Sequence, residues 1–272
     1  MRPVQKFGVS VSIAAALVFL GVAGHAYQSW RHAEDATPLS GYILIVLFLL
    51  LGLFSSRKKL AMLPAGRAAY WTAAHSVGGL MAIGLYFVHT SGTVWPGGSA
   101  ERLLAALFYL VSLSGLIGYA LQRLLPSRLT RAGVEVIYER VPAELADIRQ
   151  RVEALVTDAT EQHGSDTLAR HYVESLSWFF RRPRFFFDHL GGGRRGLAWV
   201  ARETEAVSRY LDDSEKTCLD EIAELAEIKD RVDFHWSLQT VLRYWLFVHL
   251  PLAAAAIVLA LWHVILVHVY VI

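Results

Sequence analysis

The chain has 272 residues, of which 54% are hydrophobic and only 18% charged, with a formal net charge of +2. So apolar a balance excludes an ordinary soluble domain and a disordered chain, and it gives no basis for binding nucleic acid. Cys218 is the single cysteine, which excludes an internal disulfide, a thiolate-held iron–sulfur cluster and a covalently attached c-type haem in their usual forms. The charges are also segregated. Residues 123–240 hold 17 of the 26 Lys and Arg and 21 of the 24 Asp and Glu. The expected organisation is therefore a membrane region over 1–122, a soluble and mildly acidic insert over 123–240, and a last membrane helix over 241–272.

Five apolar stretches, roughly 8–28, 39–55, 70–90, 103–122 and 243–270, approach or exceed the ~20 helical residues that cross a bilayer. The first, preceded by Arg2 and Lys6, also has the character of a secretory signal peptide. Lys and Arg mark the inner side of a span. They concentrate at the N-terminus, in the 2–3 connection "SSRKKLAMLPAGRA" and in "QRLLPSRLTR" after span four. The N-terminus and the insert are thus expected in the cytoplasm and the C-terminus on the outer, periplasmic side of a cell inner membrane. Spans three and five then run in the same direction.

The insert reads as helical. "VPAELADIRQRVEALVTDA" starts after Pro142, and "DTLARHYVESLSWFF" stops at Pro183. "RRPRFFFDHLGGGRRG" reads as a loop, whose aromatic and basic run suits a membrane surface or a partner edge equally. Its G-x-G-x-x-G lacks the strand and helix of a dinucleotide fingerprint. From about Ser214 one helix continues without a breaker into the last span, with Leu219, Ile222, Leu225, Ile228 and Val232 as its expected docking face. The fold class is all-α.

Span three carries His75 and His89, and span five carries His249 and His263, both pairs fourteen residues apart. Fourteen residues turn an α-helix by about 1400° and raise it by about 21 Å, so each pair shares nearly one face with one imidazole toward each leaflet. With co-directional spans, His75 faces His249 on the inner side and His89 faces His263 on the outer side. Lipid offers an imidazole no partner, and intramembrane ionisable groups are functional by default. Two bis-histidine sites stacked across a bilayer are what two b haems need. Gly78, Gly79 and Gly84, Ala253 to Ala256, and Ser112, Gly115 and Gly118 supply small side chains nearby.

This pattern resembles the diheme cytochrome b core, in which two helices of a four-helix bundle each give two histidines at this separation. It is also similar to the ferric-reductase-like transmembrane core. The resemblance covers about 130 residues, leaving the insert without a counterpart. It implies a diheme b-type cytochrome subunit of a respiratory oxidoreductase, moving electrons across the membrane between the quinone pool and a soluble partner such as a cytochrome c or an iron–sulfur subunit. The Pro-Glu-Trp-Tyr motif of quinol-oxidising cytochrome b is absent, as is a flavin and nicotinamide domain. A self-contained ferric or oxygen reductase, and a haem-free scaffold or transporter, therefore stay open.

Arg67, Arg102 and Arg243 sit at span ends, where each serves as a snorkelling residue or as a partner of a haem propionate or quinone. The inner end, with Arg67, Trp71, His235 and Arg243, is the favoured quinone end. Trp71, Trp95, Tyr244 and Trp245 read as interfacial belt residues. His25 and His268 are alternative outer ligands or quinone contacts.

Overall fold

The structure is a computed structural model that describes residues 3–32, 37–56, 68–131, 136–163 and 166–270. It contains helices α1 (Pro3–Arg31), α2 (Thr37–Ser56), α3 (Ala68–His89), α4 (Ser99–Arg131), α5 (Val141–His163), α6 (Thr167–His171), α7 (Ser177–Phe180), α8 (Phe186–Gly191), α9 (Arg195–Ser208) and α10 (Asp213–Tyr270). Among the described residues there is no strand. Five of these helices are long and apolar enough to cross a membrane: α1, α2, α3, α4 and α10. The chain divides into two compact units, one of residues 1–120 with 245–272 and one of residues 121–244.

In the first unit, α1 and α2 pack closely on α3. Their shared core joins Val22 of α1, Leu44 of α2, Ala82, Leu85 and Tyr86 of α3, and Ala105 and Phe108 of α4. Phe108 stacks on Tyr86 with ring centres 4.1 Å apart and on Phe48 at 6.0 Å. Large apolar side chains such as Leu17, Leu20, Leu50, Leu113 and Val258 point outward, which suits a surface solvated by lipid. Lipid cancels most of the hydrophobic drive between helices, so dispersion packing and interhelical hydrogen bonds of about 0.6 kcal/mol each hold such a unit.

The direction of the spans follows from their contacts. Along α2, Phe54 meets His75, Leu51 meets Gly78, and Gly41 meets His89, so α2 and α3 are antiparallel. Gly52 meets Ile257 and Tyr42 meets His268, so α2 and the membrane part of α10 are antiparallel too. Hence α3 and α10 run the same way.

The second unit is a water-type helical core. Val141, Leu145, Ile148, Val152, Val156 and Ala159 form one stripe on α5, buried against Leu168, Leu176, Phe179, Phe180, Val200 and Ile222. Each of the larger side chains removed from water contributes roughly 1.5–3 kcal/mol. Between α6 and α7 a π-helical turn, Tyr172–Leu176, carries the chain onward to Pro183. The segment read as a loop contains α8, entered through Phe185 in the left-handed region (φ 55°) and closed at Gly192 (φ 81°). Its six residues are too few for helical periodicity to show in the sequence.

Helix α10 starts on a capping box. Asp212 Oδ1 accepts from the Glu215 N–H at 2.8 Å, and Glu215 Oε2 accepts from the Asp212 N–H at 3.0 Å. The buried face of its soluble part is Leu219, Ile222, Ala226, Lys229, Val232 and Asp233, while Ile228 is 40% exposed. Of the expected face, Leu219, Ile222 and Val232 are buried and Leu225 packs against the core, whereas Ile228 turns outward because the 3.6-residue period puts position 229, a lysine, on the core side. Lys229 is fully buried and fully engaged. It ion-pairs with Asp233, donates to the Arg182 carbonyl at 3.1 Å and lies 4.0 Å from the centre of the Phe179 ring. Asp233 in turn accepts from the Arg184 N–H at 3.0 Å. Beside this pair, His189 Nε2 stands 3.6 Å from Asp230 Oδ1, and burial raises the Asp230 carboxyl to about 6 while lowering His189.

Lys229→Ala strands a buried carboxylate, and it is expected to destabilise the 121–244 unit by about 3–5 kcal/mol. Lys229→Met combined with Asp233→Leu recovers part of that loss; thermal melts read by tryptophan fluorescence test both. Because the Asp230 carboxyl is raised in the fold, its contribution is fully present below the unfolded value near 4 and is lost as pH rises through about 6. Asp230→Asn is therefore expected to raise the melting temperature of this unit at pH 7.5 and to leave it nearly unchanged at pH 4.5.

Candidate functional site

The buried residues of α3 recur at three- and four-residue steps through Gly78, Ala82, Leu85 and Tyr86. His75 and His89 fall on that face, which turns both imidazoles into the unit. On α10, the buried residues of the membrane part are Ala256 and Ala260. They share a face with His249 and His263.

His75 and His249 come together. Their ring centres are 6.5 Å apart and their planes make an angle of 80°. Two imidazole nitrogens on one metal, at about 2.0 Å each and with about 1.1 Å more to each ring centre, set the rings about 6.2 Å apart. The observed spacing is close to that and is too long for a hydrogen bond between the rings. His75 Nδ1 is buried and makes no hydrogen bond, although the Leu51 backbone lies beside the ring. Phe54 covers His75 with ring centres 4.6 Å apart.

His249 is held from two sides. Its Nδ1 is 3.2 Å from Ser114 Oγ, and Trp245 stacks on it at 5.3 Å with planes 24° apart. The Trp245 indole N–H donates to the Ser114 carbonyl at 2.8 Å. Gly118 makes room for this arrangement, because a Cβ there collides with the Trp245 ring. A hydrogen bond at Nδ1 is how a metal-binding histidine is usually oriented, leaving Nε2 for the metal. Ser114 did not emerge from the sequence, and Trp245 emerged only as a belt residue. The signal for Trp245 was its position four residues before His249, which places both on one helix face.

The second pair is placed differently. His89 Nδ1 lies 3.2 Å from the Thr37 carbonyl and 3.3 Å from Ser40 Oγ. A carbonyl only accepts, so a hydrogen bond there puts the proton on Nδ1 and the lone pair on Nε2. A Cβ on residue 41 would sit 2.9 Å from His89 Cε1, so Gly41 lets the ring lie flat against α2. His263 is half-buried and makes no ring contact among the described residues. The structure thus brings His75 and His249 ring to ring, but it does not do so for His89 and His263.

The arginines are committed within the protein. Arg102 Nε donates to the Pro96 carbonyl at 2.9 Å and ties down the turn after α3. Arg243 pairs with Glu139 and lies 4.3 Å from the centre of the Tyr138 ring. Arg67 lies outside the described residues. His235 is buried, with no hydrogen bond to its Nε2. His268 donates from Nδ1 to the Val264 carbonyl at 2.7 Å and meets the Tyr42 hydroxyl with Nε2 at 2.7 Å.

Among the described residues, no group of three or more His, Cys, Asp and Glu is placed to hold a metal ion. Of the histidines of the membrane unit, His75 and His249 meet as a pair. No family model matches the chain, and neither does any curated protein or solved structure.

Proposed function

We propose that the chain is a diheme b-type cytochrome subunit that carries electrons across a membrane, between the quinone pool and a soluble redox partner. The observation that carries this reading is the His75–His249 pair: two co-directional spans that bring the rings 6.5 Å apart. His75 and His249 hold one haem and His89 and His263 the other. The basic connections place the first site toward the cytoplasm. Bound haem supplies a one-electron carrier at each level of the bilayer.

The chain's own residues do the rest. Ser114 and Trp245 fix the His249 ring, and Phe54 shields His75 from lipid. Thr37, Ser40 and Gly41 set the His89 ring and its tautomer. The stack of Phe48, Phe108 and Tyr86 fills the core of the membrane unit and keeps water out. Neutral imidazoles suit this setting, since they add no charge to a low-dielectric interior. With a single cysteine and no flavin domain in this sequence, the soluble redox partner brings its own cofactor.

The test is the reduced absorbance spectrum of purified variants. His75→Ala and His249→Ala are expected to remove the same haem and to leave the other. Loss of different haems contradicts the pairing, and unchanged spectra contradict haem ligation by these residues. Ser114→Ala is expected to keep the fold and to weaken haem retention at that site by about 10–100-fold, as loss of a ligand-orienting hydrogen bond does. Haem loss during dialysis against apomyoglobin reads this directly.

A further inference from the structure

We propose that the cleft between α9 and the segment leading into α8 binds an anionic phospholipid of the bilayer that the chain spans. The inference stands apart from the haem reading and needs only that the chain crosses a membrane.

The cleft is built from aromatic rings and arginines. It has a volume of about 550 Å³ and is lined by Phe185, Arg195, Ala198, Trp199 and Arg202. Arg195 and Arg202 are seven residues apart on α9, and seven residues turn a helix by about 700°, within about 20° of two whole turns. Both therefore stand on one line of the helix, with Ala198 and Trp199 between them. Ala198 is small and exposed, which keeps the middle of that line low. Trp178 backs the floor, meeting Trp199 and Phe185 edge-on with ring centres 5.3 and 5.9 Å away. Arg184 adds a third cation, its guanidinium 4.1 Å from the centre of the Trp178 ring. Arg195 is 84% exposed even though its Nε meets Asp188 Oδ1 at 3.4 Å, and Arg202 is exposed as well.

A cationic rim over an aromatic floor selects a guest that is anionic in one part and apolar in another. Arginine holds a phosphate through paired N–H groups. Inorganic phosphate engages the rim and leaves the floor wet, whereas an acyl chain covers the floor and offers the arginines nothing. An anionic phospholipid uses both. Its phosphodiester meets Arg195 and Arg202, and its glycerol and upper acyl carbons lie on Phe185 and Trp199.

The place of the cleft in the chain favours a lipid over an acidic protein. Phe185 joins the cleft to α8, and α8 is fastened to the roots of two apolar stretches. Arg128 of α4 donates to the Leu190 carbonyl at 2.7 Å, and Phe186 meets Trp236 of α10 with ring centres 5.7 Å apart. Arg128 stands six residues beyond the stretch that ends near 122, and Trp236 seven residues before the one that begins near 243. Along each helix that is about 9–11 Å, or roughly two turns. Phe187, in the same six-residue helix, is 83% exposed, and an apolar ring among arginines is what an interfacial segment carries. Lipid phosphates are thus held at a high effective concentration beside the cleft.

Native mass spectrometry of the detergent-solubilised full chain, titrated with dioleoyl phosphatidylglycerol or dioleoyl phosphatidylcholine, counts the lipids it keeps. A tightly retained phosphatidylglycerol is expected, which phosphatidylcholine does not displace. Arg195→Gln combined with Arg202→Gln is expected to weaken that adduct by about tenfold or more. Ala198→Trp keeps both charges and fills the cleft, and it is expected to remove the same adduct. These positions are all exposed, so the melting temperature is expected to stay unchanged. Wild-type retention in both variants overturns the proposal, because the lipid then sits elsewhere on the chain. Equal retention of the two lipids overturns it too. So does displacement of the phosphatidylglycerol by an equal concentration of inorganic phosphate or of a polyglutamate peptide, which makes the cleft a phosphate or protein site instead.

Discussion

A polar group removed from water must find its partner inside the protein, and that constraint organises both halves of this molecule. An imidazole in hydrocarbon has nothing to bond with except backbone, another side chain or a metal. The described membrane histidines show what each has found. His89 uses the Thr37 carbonyl and Ser40, His249 uses Ser114, and His268 uses Val264 and Tyr42. His75 Nδ1 is buried beside the Leu51 backbone, and its ring faces those of Phe54 and His249.

The same constraint explains the 121–244 unit with different partners. Lys229 sits where a leucine is expected on the core face of α10, and its charge is met by Asp233, a backbone carbonyl and the face of Phe179. Removing one partner leaves the other stranded, so the pair is costly to break even where its net contribution to stability is small. It also fixes the register in which the segment around Arg182 and Arg184 docks on α10. His189 and Asp230, by contrast, face each other just beyond hydrogen-bond reach, and burial pushes both toward their uncharged forms.

Much of this was legible in the sequence, for identifiable reasons. The membrane helices announce themselves because lipid demands long apolar runs, and the fourteen-residue histidine spacing maps directly onto one helix face. The continuous helix from the acidic insert into the last span follows from the lack of any breaker apart from Pro251, which α10 accommodates. What could not be read were properties of pairs across helices. Ser114 has no period of its own and becomes meaningful only once α4 lies beside His249. Lys229 breaks the apolar pattern, so the eye places the buried stripe on Ile228 instead. Six-residue α8 is set by Phe185 and Gly192 in left-handed conformations, which composition alone does not show.

The central claim is that the imidazoles of α3 and α10 clamp iron porphyrins. Its most direct test is the haem content of the purified wild-type chain by pyridine haemochrome, combined with electron paramagnetic resonance of the oxidised protein. The account predicts about two haems b per chain, with the low-spin signals of bis-histidine iron. A colourless preparation from haem-replete cells, or a high-spin iron with one axial histidine, contradicts it.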